Sequence, residues 1–510
     1  MKRWNRIFDV VQEPLIALMV AIIFRGMSSF ILSANLAKIV SLPTIVYIIA
    51  ELLRYFGSFI VVNFPFLVMI RALSKRYEGS FPAFSGVIAY IFFHIVTMFV
   101  TSTSMPSNVY YDVLGIHLDV SRLYTLGDIV RYPIHTGLFA ALIVWAITRF
   151  SYSKSRNRMG YGLLSFIDKD SYCLILSVIG SGIAAVGIAT IWPIFISSLY
   201  GVFHFIGYDI TNPVNSFIYG VLEKVLSLVN LPSLIRDPFW FGELGGSWLS
   251  TTGVNYLGDV SIWTAQSAQG IFNTGVGRFI TPHFIINMFI IPAIACGVYS
   301  TMTDKMERRK YIIFLIVFIL LSVMFDTSLP VEIFLFVMCP LFYIGHVFTV
   351  GLLFALLQIL DLQIGYNYSG SSSLGSPGSI LDLFINFRNP EIQIDVFLVI
   401  GIGIVMAFLY FFTIRIYYKK LGMDVMQTGR GKNVVEAFLD SVGGIQNIKM
   451  INSTPTKVIV QIENRTLIDF NKLQRNGAYK IVETRAGYSI YFGTASAMIR
   501  NQVLKQMEAY

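Results

Sequence analysis

Two carboxylates stand where carboxylates are rare. Glu243 lies in 231–273, a stretch rich in Gly, Trp and polar residues between long apolar runs, and Glu332 closes 326–332, a polar break containing Pro330. Ionisable groups at membrane depth are costly, so they pair with one another, face water or mark a functional site. A buried carboxylate can accept two hydrogen bonds at once. Trp240, Trp248 and Trp263 in the first stretch offer flat faces for stacking, or belong to an interfacial aromatic belt. His283 and His346 are the histidines worth testing; His94, His117, His135 and His204 read as structural, and no His spacing fits a metal motif. Cys173, Cys296 and Cys339 sit in or beside apolar runs and read as buried small hydrophobes, with no disulfide framework and no metal site.

The elements that must carry these residues follow from composition. Of 510 residues, 55% are hydrophobic and 13% charged, and the mean hydropathy is +0.67; a soluble chain carries about 25% charged residues. The apolar excess is gathered into runs such as 311–325 and 397–414, as long as a bilayer span requires. A wholly soluble enzyme, a disordered chain and a disulfide scaffold are excluded. Net charge is +9, which in a soluble protein would raise nucleic acid as a partner. Here the basic clusters at 2–6, 71–76, 149–158, 305–310 and 415–432 flank apolar runs. Positive loops stay cytoplasmic, so the expectation is an even number of crossings with both termini inside and no nucleic acid partner. The first apolar run, which carries Arg25, reads as a retained helix rather than a removed signal.

Spans of ~20 residues are expected near 14–32, 43–73, 84–101, 129–150, 173–206, 214–229, 278–300, 311–325, 334–360 and 394–418. Irregular backbone at membrane depth survives only where protein buries it or where it lines a cavity. Broken helices near the midplane point to a transport site. Both polar breaks fit that description. Arg25, Glu51, Arg54 and Arg71 read as snorkelling or as an internal Glu51–Arg54 pair. The Gly/Ser stretch 369–379 is a gate or a plain connector. After residue 420 the composition changes: 421–432 is a polar, basic linker, and 433–510 reads as a small α+β domain. Within it 434–439 is helical and stops at Gly443-Gly444, 457–462 and 489–492 are strands, and 495–507 is an amphipathic helix.

Several motifs occur in a familiar order: Asn63-x-Pro65, Trp192-Pro193, Asn212-Pro213, Phe217, Tyr219-Gly220, Leu226, and Pro238-Phe239-Trp240-Phe241 continuing through Gly242-Glu243-Leu244-Gly245-Gly246. Gly277-Arg278-Phe279, Pro330-Val331-Glu332-Ile333-Phe334, Pro340, His346, Ser376-x-Gly378 and Asp382 follow. Together they resemble the IIC membrane domain of the glucose–maltose superfamily of bacterial phosphotransferase-system sugar permeases, most of all its maltose/α-glucoside branch. Thr428-Gly429-Arg430 is similar to that family's Thr-Pro-Gly-Arg signature, and Gly443-Gly444, Asn447-Ile448 and Tyr491-Phe492-Gly493 to its IIB domain. The resemblance implies a polytopic α-helical membrane protein of about ten transmembrane helices plus two re-entrant hairpins, near 231–245 and 326–340, with a small C-terminal α+β domain. It implies IIC-like residues 1–420, a linker at 421–432 and a IIB-like domain at 433–510. It further implies a homodimer in the bacterial cytoplasmic membrane, a sugar bound between the hairpins, IIA and IIB partners, and no cofactor. Glu332, Glu243, Trp240 and Gly245 are the expected substrate-binding residues.

The departures fall on the chemistry. In the register of the family's Asp-His-Cys-Ala-Thr-Arg-Leu-Arg loop, this sequence reads Asn452-Ser453-Thr454-Pro455-Thr456-Lys457-Val458-Ile459, and no cysteine follows Cys339. Thr454 replaces a thiolate, the nucleophile of such a relay, with a hydroxyl that needs a base. Pro455 removes an N–H, and Ile459 removes a phosphate-pairing fork. The family's paired histidines would fall on Pro232 and Ser233, and its Gly-Ile-Thr-Glu on Asp326-Thr327-Ser328-Leu329, leaving Glu332 as the remaining carboxylate. The expected function is a permease component moving a glucoside or hexose without phosphocysteine relay through its own IIB domain. The alternatives are a non-transporting sensor that docks a partner through that domain, and a conventional phosphorylating permease using a IIB domain in trans.

Overall fold

The computed structural model describes residues 2–32, 41–77, 80–100, 105–119, 130–155, 169–272, 275–301, 305–325, 327–365, 378–417, 431–484, 487–493 and 495–508. Asp326, Ser376, most of the 369–379 stretch, most of the linker and Thr428-Gly429-Arg430 lie outside the described residues. The chain divides into two compact units, one of Val10–Phe279 with Val350–Gly375, the other of Met1–Asp9, Ile280–Thr349 and Ser376–Tyr510.

The protein is a many-helix membrane protein with a small C-terminal α+β domain. Among the described residues, seven helices are long and apolar enough to cross a bilayer: Val10–Ser29, Thr44–Val62, Phe81–Val100, Asp170–Tyr208, Thr281–Thr301, Pro340–Ile359 and Gln393–Ile416. Their outward residues are apolar; Ile183 and Ile194, for example, are exposed, as lipid contact requires. Several expected runs prove subdivided. The run 43–73 breaks at Asn63 into Thr44–Val62 and Phe64–Arg76. Pro65 suits only the first turn of the second helix, while Asn63 bonds back to the Phe59 carbonyl at 2.9 Å and accepts the Leu114 N–H at 3.0 Å. The run 334–360 breaks at Cys339, where Pro340 starts a new helix. Residues 129–137 hold strand β2 (Val130–Arg131), paired with β1 (Leu118–Asp119), and the helix begins at Leu138.

In the first unit, the helices close up through glycine. A Cβ on Gly220 would fall 2.6 Å from the Phe354 ring and 3.2 Å from the Gly351 Cα, the small-residue contact by which membrane helices approach. The stretch 231–273, expected to be irregular, is largely ordered: helix Ser233–Trp240, a 3-10 turn Glu243–Gly245, a hairpin of β3 (Ser247–Leu249) and β4 (Asn255–Leu257), and helix Asp259–Ala268. The hairpin pairs its own backbone groups while Ser247, Leu249 and Asn255 stay exposed.

The C-terminal domain is a four-stranded antiparallel sheet in the order β5-β6-β8-β7, with β5 Ile448–Ser453, β6 Lys457–Ile462, β7 Lys480–Thr484 and β8 Gly487–Tyr491. Helices Gly431–Ser441, Phe470–Arg475 and Ala495–Glu508 accompany it. Val458, Val460, Tyr488 and Ile490 face a core shared with Phe438, Leu473 and Ile499. Asn447 pins the turn after the first helix, donating to the Val442 carbonyl at 2.6 Å and the Asn464 carbonyl at 3.0 Å.

Candidate functional site

Helix Pro213–Leu228 starts where Asn212 accepts the Val214 N–H at 2.9 Å, and it carries Tyr219, Glu223 and Lys224 inward, all fully buried. From helix Ser233–Trp240, the Arg236 Nε donates to Glu223 Oε1 at 2.9 Å, and a second Arg236 nitrogen reaches the same oxygen. The Lys224 Nζ stands 3.8 Å from the other carboxylate oxygen. The Arg236 guanidinium lies 4.9 Å over the Trp240 ring, and the Trp240 Nε1 donates to the Tyr219 hydroxyl at 3.0 Å. Phe279, Phe239 and Phe354 pack around Tyr219 with centroids 4.4, 5.1 and 5.5 Å away. Such a cluster is rare in an apolar interior and marks a polar ligand or a structural network. None of Glu223, Lys224 and Arg236 was anticipated. The signal was present, since an adjacent Glu-Lys pair interrupts an expected span.

One end of this cluster rests on a buried carboxylate. Asp259 accepts the Gly277 N–H at 2.8 Å and the Phe279 N–H at 3.1 Å. Burial pushes its carboxyl up to about 6 against those bonds. Gly277 adopts a positive φ of 104°, and a Cβ there would fall 2.7 Å from the Gly365 nitrogen. This loop presents the Phe279 ring to Tyr219.

Of the expected binding residues, Trp240 ends helix Ser233–Trp240, and Glu243 and Gly245 lie in the 3-10 turn that follows it. Trp240 is fully enclosed, Glu243 is exposed, and Gly245 is buried. A Cβ at 245 would overlap the Phe239 carbonyl oxygen at 1.7 Å, so close backbone approach alone requires glycine. Trp248 stacks on Tyr256 at 5.9 Å, and the Trp263 ring lies against Gly365. Glu51 and Arg54 pair at 2.7 Å, and Arg71 pairs with Glu13. His94 and His135 are buried with their rings against Tyr90 and Tyr111.

Glu332 belongs to the other unit. It lies in the first turn of helix Leu329–Met338 and is buried. His346, on Pro340–Ile359, has its Nε2 3.8 Å from Glu332 Oε1 and its Nδ1 2.8 Å from the Tyr410 hydroxyl on Gln393–Ile416. His283 is buried on Thr281–Thr301, where Gly378, at φ 107°, touches its backbone. Asp382 is capped by Ser379, and burial raises its carboxyl to about 6. The thiols are free; Cys296 proves exposed rather than buried, because it lies on an outward face of Thr281–Thr301.

In the C-terminal domain, Thr454 is buried in the β5–β6 turn. Its hydroxyl accepts the N–H of Thr456 at 3.3 Å and of Lys457 at 3.2 Å, and its own N–H donates to the Lys457 carbonyl at 2.9 Å. The turn closes on its own side chain. Lys457 and Lys480 flank the Tyr491 ring at 5.5 and 5.7 Å.

No family model matches the chain. It is 25% identical over 492 residues to the PTS system glucoside-specific EIICBA component of Staphylococcus carnosus (strain TM300), covering 91% of this chain and 67% of that protein. The crystal structure of ChbC, the IIC component from the N,N'-diacetylchitobiose-specific phosphotransferase system, overlaps 80% of this chain and 94% of its own at 16% identity, with a TM-score of 0.30. The match runs through the same stretches as the ordered motifs, so the similarity to a phosphotransferase-system component spans the membrane part and the C-terminal domain. The chain is thus similar, over nine tenths of its length, to a phosphotransferase-system permease component that joins membrane and soluble domains.

Proposed function

We propose that this protein carries a glucoside or hexose across the bacterial cytoplasmic membrane without relaying phosphate through its own C-terminal domain. The observation that carries this reading is the Thr454 turn. A phosphate-accepting loop presents free N–H groups to the anion. Here the N–H groups of Thr456 and Lys457 are directed at the Thr454 hydroxyl, which itself stands in place of the thiol. Glu332 and Glu243 are the carboxylates assigned to sugar hydroxyls, with Trp240 and Gly245 shaping the first loop. The glucoside specificity printed for the staphylococcal relative supports the substrate class. The permease works as a homodimer with both termini cytoplasmic, as a facilitator or with a IIB domain supplied in trans by another protein. Uptake of labelled maltose and glucose in cells lacking other permeases tests the proposal. No uptake by well-inserted protein would refute it.

A second reading rests on the C-terminal domain having a packed core while Thr454 occupies the register of the relay thiol. In that reading, the domain docks a partner and the protein senses sugar without moving it. Pull-down with the full chain against IIA proteins and antiterminators separates the two readings.

A further inference from the structure

We infer that this protein is a proton-coupled carrier, with Glu332 and His346 as the shared proton site. The inference deepens the transport reading and rests on it. A carrier with no gradient tied to its site only equilibrates its sugar. Buried Asp, Glu and His in membrane proteins form proton relays. Here Glu332 Oε1 and His346 Nε2 lie 3.8 Å apart, both side chains essentially inaccessible. The Tyr410 hydroxyl holds the other ring nitrogen at 2.8 Å, and the Tyr343 ring lies 6.0 Å from the imidazole. The pair is oriented from three helices.

The helices that carry the pair bring few other charged groups. Helices Leu329–Met338 and Pro340–Ile359 contain no Lys, Arg or Asp and no second Glu or His. Cys339, the buried residue between them, is the other titratable group there besides Tyr343. On Gln393–Ile416 the charged residues are Asp395 and Arg415, at its two ends. Helices Thr281–Thr301 and Ile380–Phe387, which pack against Gln393–Ile416, bring His283, Cys296, Tyr299 and Asp382.

Coupling follows from charge balance. A carboxylate beside an imidazole that carries no extra proton has a net charge, which in an apolar interior opposes reorientation. One proton taken from the outer aqueous phase onto His346 leaves Glu332 an acceptor for sugar hydroxyls and makes the pair neutral. Sugar and proton therefore each favour the other's binding, by reciprocal linkage. The proton leaves to the cytoplasm when the sugar does. Protonation also has a mechanical reach. Drawing the two groups from 3.8 Å to hydrogen-bond distance moves them by about 1 Å, across the break at Cys339 where one helix ends and the next begins.

The experiment uses the full chain in proteoliposomes with labelled maltose and methyl α-glucoside. With the interior one pH unit above the exterior, a one-to-one carrier accumulates sugar up to about tenfold, and a protonophore collapses the accumulation. Equilibration without accumulation overturns the coupling and leaves the transport reading standing. No movement of either sugar, even downhill, overturns both. His346→Gln is expected to equilibrate sugar without accumulating it, and retained downhill entry shows that this variant is folded. Tyr410→Phe, which keeps the ring packing, should shift the pH dependence of accumulation. Undiminished accumulation by His346→Gln would refute the assignment of the proton site.

Discussion

Replacing Thr454 with valine removes a hydroxyl, keeps the branched shape and leaves the N–H groups of Thr456 and Lys457 without their acceptor. The bonds measure 3.3 and 3.2 Å, at the long end of the N–H···O range, so each contributes at the lower part of the usual scale, about 0.5–1 kcal/mol. Together they hold the turn by about 1–2 kcal/mol, a factor of roughly 5–30 in the open population. Thr454 is only 1% exposed, so water does not readily take the hydroxyl's place. Hydrogen exchange of the full chain, read by mass spectrometry on peptides spanning 448–462, should show Thr456 and Lys457 amides exchanging faster by that factor. The β8 amides, bonded to β6 on its other side, should change less. Unchanged protection at 456 and 457 would show that the hydroxyl does not close the turn, and the argument against phosphate binding would lose its footing.

Incubated with phosphoenolpyruvate, the general phosphotransferase components and a IIA protein, the unaltered chain should take up no phosphate on residues 433–510; Thr454→Cys alone should restore little, whereas Thr454→Cys with Pro455→Ala and Ile459→Arg should label, and robust labelling of the unaltered domain would reverse the reading. Glu332→Gln should weaken sugar binding ten- to a hundredfold at equal expression, on the order of 1–3 kcal/mol, with equilibrium binding to purified protein as the measurement; unchanged affinity would make Glu332 structural. Asp259 titrates at about 6 in the fold, above the ordinary carboxylate value of about 3.9, so its stabilising contribution is complete below about pH 4 and is lost as pH rises to about 6. The Tm of Asp259→Asn relative to the unaltered protein should therefore improve across that window and level off above it; a difference independent of pH would contradict the assignment.

Much of the helical plan was legible because bilayer spans leave long apolar runs, and the strand β6 at Lys457–Ile462 because alternation showed it. The breaks were less so. Asn63 sits inside a run whose hydropathy is continuous; its side chain bonds back to the Phe59 carbonyl and across to the distant Leu114 N–H, while Pro65 starts the next helix. The edge strand β7 was missed because its residues are mostly exposed and polar, with no inward-outward contrast to read. At the candidate site, Glu332 was legible as a carboxylate in a polar break. The ion pair of Glu223 with Arg236 joins residues 13 positions apart on different helices, a contact that only packing reveals. Trp240 was read for its face, whereas the fold uses its indole N–H and covers the ring with a guanidinium.

Helix Asp170–Tyr208 runs 39 residues, about 58 Å at ~1.5 Å per residue, against a hydrocarbon core of about 30 Å. Its exposed apolar side chains run from Ile175 through Ile179, Ile183, Ile191 and Ile194 to Phe205, a greasy stripe about 45 Å long by the same rise. A straight rod would need a lean of about 48° to immerse that stripe in a layer about 30 Å thick, more than such helices adopt, so the bend that Pro193 places inside the helix has to share the misfit. Thickening the membrane with longer acyl chains or sterol would stand the helix more upright, and thinning it would lay the helix further over. Lipid chain length is thereby a mechanical input to this protein, taken up by a helix that carries its own hinge at Pro193.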